Sequence, residues 1–590
     1  MGSIAASSLA ITSVVFHIYL IFTGLLPNLI TRPIHLALAL PWVFIFGNKD
    51  TGLKKWIGYG LCCIGLFGCF YITFNRVQLS EQYGSLEGTG QLVIAIGLIL
   101  VILEMARRAI KLALPAVAAI ALTYGFWGQY IPGEFGHSGI PIDSFLGTLV
   151  VAEGGIWGLL TGVSVNVVAV FVILGAFVGV GEGGEAFMAL ATKVAGRYRA
   201  GAAKVSVISS AFFGSISGSA SANVASTGAI TIPAMKRLGY PPQFAAAVEA
   251  VASSGGQIMP PLMGAGAFIM AELLRVRYSN IMAIAILPAL LFFFAAWTGV
   301  DFFAKKYDLT AMRKEDIPKT KRVLRLAPFF CLPFSTLLGI LFFTDYTPQY
   351  ASGVAIFVSA ALLVTNIKYE FLYLKVFPRL LKACMTAARQ IAIIASIIIC
   401  AGLIIGVLNM TGLGVKITSI ILSFSSGNLW IALILTALAC LILGMEVPTT
   451  AAYVICIAVA GPALQELGLP SIYAHLFVFW FALLSTITPP VCGTVFIAAG
   501  MAETPWIPVA GHAMKLGFGL YLIPLAFVAN PGLLQTITHP LIATLAFLKI
   551  GLGLWLLSQG IIGGKFPKWM QAAFVLIGLF IIFVYGIGSW

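Results

Sequence analysis

Apolar runs near or above the ~20 residues that an α-helix needs to cross a bilayer recur along the whole chain, as at Leu9–Ile30, Ile156–Val180, Ile281–Phe303 and Trp569–Tyr585. The polar intervals between them are short, and none holds a soluble domain of useful size. The pattern predicts an all-α polytopic membrane protein with roughly 16–18 membrane segments, some too short or too broken to be ordinary spans. No charged leader or cleavage pattern precedes the first run, so Leu9–Ile30 reads as a retained span.

Where the polar residues fall sets the orientation. Lys305, Lys306, Arg313, Lys314, Lys319, Lys321, Arg322 and Arg325 form one basic stretch, and Lys368, Lys375, Arg379, Lys382 and Arg389 a second. Two apolar segments joined near Asp345 separate them, so the positive-inside bias puts both stretches in the cytoplasm. No Lys or Arg occurs between Lys111 and Lys193, whereas Glu134, Asp143 and Glu153 do, and that region reads as external.

Basic residues also flank the most polar of the apolar regions, Lys193 and Lys204 before it and Lys236-Arg237 after it. Too few residues lie between them for two full spans. The middle reads Ser215-Ile216-Ser217-Gly218-Ser219-Ala220-Ser221-Ala222-Asn223. A re-entrant hairpin that enters from the cytoplasm and turns at this tip fits the length. Non-helical backbone at that depth has to be buried in protein or line a wet cavity.

The segment that follows is repeated later at a constant offset. Pro233, Leu238-Gly239, Pro241, Pro260-Pro261 and Gly264 match Pro462, Leu467-Gly468, Pro470, Pro489-Pro490 and Gly493, each 229 residues on (462 − 233, 493 − 264). Four coincident prolines in one ungapped register indicate internal duplication. Lys236-Arg237 becomes Gln465-Glu466, a loss of basic residues that allows the second turn to lie outside, as in an inverted repeat. Arg275 and Arg277 would then be external, against the bias.

Each copy therefore carries a hairpin and a broken helix. The expected ranges are 200–238 and 243–274 for the first copy, and 428–466 and 472–505 for the second. Gly and Pro free backbone carbonyls that suit a hard cation, and Ser, Thr and Asn add oxygens. The N-termini of the following half-helices present N–H groups to an anion. Candidate substrate- or ion-binding residues are Ser217, Ser219, Ser221, Asn223, Ser253, Gly255, Gln257, Pro260, Thr449, Thr450, Ser485, Thr486 and Thr488. Close helix packing is the competing account of such small residues, and a single hydroxyl can simply cap its own helix.

These residues carry a family resemblance. The run Ser217-Gly-Ser-Ala-Ser-Ala-Asn223 through Pro233 and Met235-Lys-Arg-Leu-Gly-Tyr-Pro241 resembles the large membrane subunit of tripartite ATP-independent periplasmic (TRAP) transporters. Glu249, Gly255-Gly-Gln-Ile-Met-Pro-Pro261-Leu-Met-Gly264, Glu272 and Pro448-Thr-Thr-Ala-Ala-Tyr453 look like the TAXI subgroup in its fused small-plus-large form. The resemblance is dense over 150–529 and diffuse over 1–130.

It implies an elevator-type importer of organic acids, chiefly carboxylates, in the bacterial inner membrane. A periplasmic TAXI-type binding protein would deliver the substrate, and an Na+ or H+ gradient would drive uptake without any other cofactor. It also implies a scaffold domain at 1–130 similar to the small subunit, a large-subunit domain at 131–530 and a helical extension at 531–590. Family Na+ sites carry over onto Ser219, Ser221, Asn223, Gly255, Thr449 and Thr486. Glu446 stands beside the second tip where a small residue is expected. An intramembrane carboxylate is functional by default, which makes Glu446 a candidate proton carrier, and Glu249 a second. Glu249 and Glu272 could equally lie near an interface. The runner-up reading is a carboxylate symporter of similar hairpin fold that needs no binding protein.

Composition removes other classes. The chain has 590 residues, 60% hydrophobic and 9% charged, against about 25% charged in soluble domains. The net charge of +14 falls in short loops, so it speaks for positive-inside topology rather than a nucleic-acid partner. No Walker A sequence, His-Glu-x-x-His motif or nucleophile–base arrangement argues for an ATPase or an intramembrane hydrolase. The nine cysteines, mostly within apolar runs, and six scattered histidines read as packing residues. Trp56, Tyr59, Trp430, Trp569 and Trp590 read as interfacial aromatics.

Overall fold

The computed structural model describes residues 2–24, 26–47, 51–445, 447–563 and 566–588. Glu446 and Trp590 lie outside the described residues. Among those residues nine helices are long and apolar enough to cross a membrane. Lys314–Leu326 and Pro328–Phe343, bent by 49°, can form one further span. Seven shorter apolar helices accompany them, and the β structure is a single bridge between Thr365 and Phe371. This is a multi-pass, all-α membrane fold.

The first span differs from the sequence reading. A helix covers Gly2–Phe22, and the next begins at Asn28. Gly24 has φ +86° and Pro27 precedes the second helix, so the chain turns inside the apolar run instead of continuing to Ile30.

Both repeats have one local design. The first hairpin is Gly201–Ser217 and Ala220–Arg237, and the first broken helix is Pro242–Gly255 and Ala265–Leu274. The second hairpin is Leu429–Leu443 and Thr449–Glu466, and the second broken helix is Ser471–Leu484 and Gly493–Ala502. Each return helix contains the matched proline, Pro233 or Pro462. Each ends at a glycine in the left-handed region, Gly239 (φ +83°) or Gly468 (φ +89°). The chain is then fastened back by Tyr240 N–H to Met235 C=O (3.1 Å) and Leu469 N–H to Leu464 C=O (3.0 Å), the bond that closes a Schellman turn. The Pro-Pro bond in both breaks is cis.

The two repeats interlock. Gly493–Ala502 packs against Ala220–Arg237 and Pro242–Gly255, while Ala265–Leu274 packs against Thr449–Glu466. Lys236 Nζ donates to Ala502 C=O at 3.0 Å, which places the open end of the first hairpin beside the end of the second broken helix. At the other face Arg277 pairs with Asp345 at 3.4 Å. The arginine thus has a carboxylate partner from the turn between Pro328–Phe343 and Pro348–Leu362.

Around this body runs the long helix Val376–Thr411, packed against Gly2–Phe22, Asn28–Pro41, Gly88–Ile110, Ala113–Trp127 and Ala169–Val180. The C-terminal helices Pro540–Ile562 and Lys568–Phe583 pack on each other, and Pro540–Ile562 also lies on Tyr278–Tyr307. Six of the nine cysteines are buried and all are free, but Cys63 and Cys331 are exposed on the apolar surface.

Candidate functional site

A cavity of about 520 Å³ lies where the two hairpin tips meet the two helix breaks. Such a volume is in the range of small-molecule sites. Its hydroxyl and amide side chains all come from the repeats, which also supply Leu262, Met263, Phe268, Val491, Phe496 and Ile497. The repeats contribute Ser217, Ser219 and Ser221 from the first tip, Thr449 and Thr450 from the second, and Gln257 and Thr486 from the breaks. The opposite wall is apolar: Val168, Phe171 and Val172 on one helix, and Ile393, Ile394, Ile397 and Ile398 on the long helix.

Local physics explains why polar groups can face this space. The first tip turns at Gly218 (φ +61°), and Ser219 caps the return helix by accepting from Ala222 N–H at 3.4 Å. The second return helix starts at Thr449 after Pro448, whose ring replaces an N–H that a helix start leaves unpaired. Gln257 and Thr486 occupy equivalent positions, 229 residues apart (486 − 257), each in a one-turn 3-10 segment that follows the first half of a broken helix. The repeats are also joined directly, Ser254 Oγ lying 3.0 Å from Thr486 Oγ1.

Other residues singled out from the sequence lie away from the cavity lining. Asn223 is fully buried and its amide donates to Ser210 C=O (2.9 Å) and Ser253 C=O (3.2 Å), tying the hairpin to the first broken helix. In the second copy the Ser485 hydroxyl has two carbonyls within reach, that of Ala482 in its own helix (2.7 Å) and that of Gly444 at the second tip (2.9 Å). Gly255 packs so closely on Phe292 that a Cβ would overlap the ring. Thr488 bonds Leu484 C=O (2.7 Å) and Tyr521 Oη (2.6 Å). Pro260 belongs to the cis Pro-Pro step.

Glu249 is fully buried, whereas Glu272 is exposed at the end of its half-helix. The Glu249 carboxyl sits among five hydroxyls. Ser206 reaches Oε2 at 2.7 Å, and Ser210 (3.2 Å) and Ser253 (2.9 Å) reach Oε1. Thr227 and Thr231 complete the set, one on each oxygen. The two threonines also have helix carbonyls within reach, Thr227 that of Asn223 (2.8 Å) and Thr231 that of Thr227 (3.0 Å). A hydroxyl has one proton to donate, so each threonine can give it to the carboxyl or to its helix. The sequence signal was three i,i+4 pairs, Ser206/Ser210, Thr227/Thr231 and Glu249/Ser253, each on one helix face.

The histidines are less scattered in space than in sequence. His17 Nδ1 donates to Ser13 C=O (2.7 Å), which leaves His17 Nε2 to accept from His35 Nδ1 (2.8 Å). His35 Nε2 then accepts from Ser164 (3.0 Å). Both rings are fully buried, and the chain of bonds pins the first two helices to the segment at Ser164.

A sequence model of "Tripartite ATP-independent periplasmic transporter, DctM component" matches residues 97–542, well over half of the chain. A putative TRAP transporter large permease protein of Haemophilus influenzae is 25% identical over 376 residues, covering 63% of this chain and 85% of that protein. A C4-dicarboxylate TRAP transporter large permease protein, DctM, of Pseudomonas aeruginosa is 25% identical over 335 residues, covering 57% and 77%. An isethionate TRAP transporter permease protein, DctMQ, of Oleidesulfovibrio alaskensis is 24% identical over 415 residues, covering 67% and 64%.

Proposed function

Because the chain belongs to the DctM-component family of tripartite ATP-independent periplasmic transporters, we propose that it imports a small organic acid, a C4 or C5 dicarboxylate or a related carboxylate, down the gradient of a coupling ion. The observation that carries this reading is the two-sided cavity. Hydroxyl and amide groups from both repeats face it on one side, and bulky apolar side chains close it on the other. An elevator is served by keeping the hydroxyl and amide donors on the moving half and few polar groups on the wall, since sliding then breaks few hydrogen bonds. Similar proteins point the same way, being transporters named for C4-dicarboxylates, isethionate and 2,3-diketo-L-gulonate. Each of those ligands is an anion.

In this reading a periplasmic binding protein of the TAXI type delivers the substrate. The helices before residue 97, which precede the matched region, act as a fused small subunit that enlarges the scaffold. The coupling ion is a proton on Glu249, supported by its hydroxyl cage. With the threonine protons turned to the carboxyl the cage suits a carboxylate, and with them turned to the helix carbonyls it has room for a carboxylic acid. Sodium is the second reading, favoured by the oxygens of Ser219, Ser221, Thr449 and Thr486 around the cavity.

Uptake under an imposed pH gradient at zero Na+, and under an imposed Na+ gradient at equal pH, separates the two. Accumulation with the first alone supports the proton; accumulation with the second alone removes it. Robust uptake without any binding protein would turn the reading to a free-standing carboxylate symporter.

A further inference from the structure

Among the described residues, one charged residue is part of the cavity lining: Lys111, an exposed residue beside the apolar wall. Lys111 follows the helix Gly88–Ile110 and stands with Ala109 and Ile110 at the cavity edge. Its basic neighbours are engaged elsewhere. Arg107 and Arg108 both bind Glu104 (2.6 and 2.7 Å), and Arg108 also lies over the Phe44 ring at 5.1 Å. Lys111 forms no ion pair with any described residue.

Its backbone is independent of that argument and agrees with it. Lys111 has φ +71° and ψ −160°, a region that is essentially the preserve of glycine. A side chain there is costly and persists where the surroundings impose it, typically at functional sites. The conformation turns the chain within the two-residue corner between Gly88–Ile110 and Ala113–Trp127, and it fixes the Lys111 side chain's point of departure at the cavity edge.

We propose that Lys111 is the residue on the scaffold wall that contacts the substrate's carboxylate while the cavity is open on the side of the Arg107, Arg108 and Lys111 cluster. This rests on the carboxylate-transport reading and adds to it a specific anion partner. The repeats supply N–H and hydroxyl donors that travel with the substrate. Lys111 supplies a fixed charge that the substrate meets only in this state, so it selects for anions and draws them away from the tips. Charge-assisted bonds of this kind are roughly twice as strong as neutral ones.

The test is ligand-induced thermal shift on the purified full chain, titrated with succinate, glutarate and 2-oxoglutarate, with succinamide as the neutral control. Lys111→Gln and Lys111→Gly should raise the half-saturating dicarboxylate concentration at least tenfold, and Lys111→Arg less than threefold. Without ligand, Lys111→Gly should melt no lower than the wild type, since glycine accepts this backbone. Dicarboxylate titrations of Lys111→Gln and Lys111→Gly that superimpose on the wild type would overturn the proposal alone. A wild type stabilised by no dicarboxylate, or equally by succinamide, would overturn the carboxylate reading and the role of Lys111 with it.

Discussion

Replacing Glu249 by Gln changes one oxygen to an NH2 group without changing shape, in a site where every partner is a hydroxyl. Ser206, Ser210 and Ser253 donate to the carboxyl, and Thr227 and Thr231 can donate to it or to helix carbonyls. If the group is ionised when the protein folds, three serine bonds to a charge become bonds to a neutral amide, and those on the NH2 side reverse because that group only donates. Bonds to charges contribute ~1.5–3 kcal/mol and neutral ones about 1, so the loss is roughly 3 kcal/mol. If the group is already protonated, the amide reproduces it and the loss falls under ~1 kcal/mol. Truncation to Ala leaves the serines short of partners around a new void, at roughly 3–5 kcal/mol. Thermal unfolding of the three proteins in detergent should therefore rank wild type, Glu249→Gln, Glu249→Ala. In proteoliposomes Glu249→Gln should abolish accumulation driven by a pH gradient while retaining substrate exchange at equal pH. Proton-driven uptake by Glu249→Gln at the wild-type rate would refute the proton role. Unfolding of Glu249→Gln alongside Glu249→Ala would refute the two-way threonine network.

Three further outcomes follow from the geometry. Gly214→Ala puts a Cβ into the Gly256 backbone and the Asn223 amide, an overpacking expected to cost about 1–3 kcal/mol and measurable as a lowered melting temperature. Asn223→Ala removes the donor to Ser210 C=O and Ser253 C=O and should cost roughly 1–3 kcal/mol; an unchanged melting temperature would show that the tie does not matter. Ser219→Cys, on the cavity lining, should react with a polar maleimide well above the background of the native thiols. Saturating dicarboxylate should slow that reaction, and indifference to ligand would place the substrate elsewhere.

Much of this architecture can be read from the chain because its determinants are local. Gly and Pro punctuate the helices, so the tip at Gly218, the break at Pro260-Pro261 and the turn at Gly239 are each written in adjacent residues, and the 229-residue register repeats the last two. The first turn, at Gly24 and Pro27, escaped because it is embedded in an apolar run with no charge to mark it. What each hydroxyl does is a tertiary matter. Ser219 and Ser221 line the cavity, Asn223 and Ser485 spend their groups on backbone carbonyls away from it, and Thr486 does both, lining the cavity while its hydroxyl reaches Leu483 C=O at 2.8 Å; residue type alone does not separate these uses. Glu249 likewise depends on partners up to 43 residues away in sequence, brought together only when three helices pack.

The most direct test of ion-coupled import is accumulation of substrate against its own gradient. Proteoliposomes containing the full chain would be loaded with an inward pH or Na+ gradient, and uptake of labelled succinate and 2-oxoglutarate followed with and without the periplasmic binding protein. Accumulation above the external concentration is expected for at least one dicarboxylate, only when both the gradient and the binding protein are present. Flux that merely equilibrates the label, or accumulation that ignores both gradients, would contradict ion-coupled import.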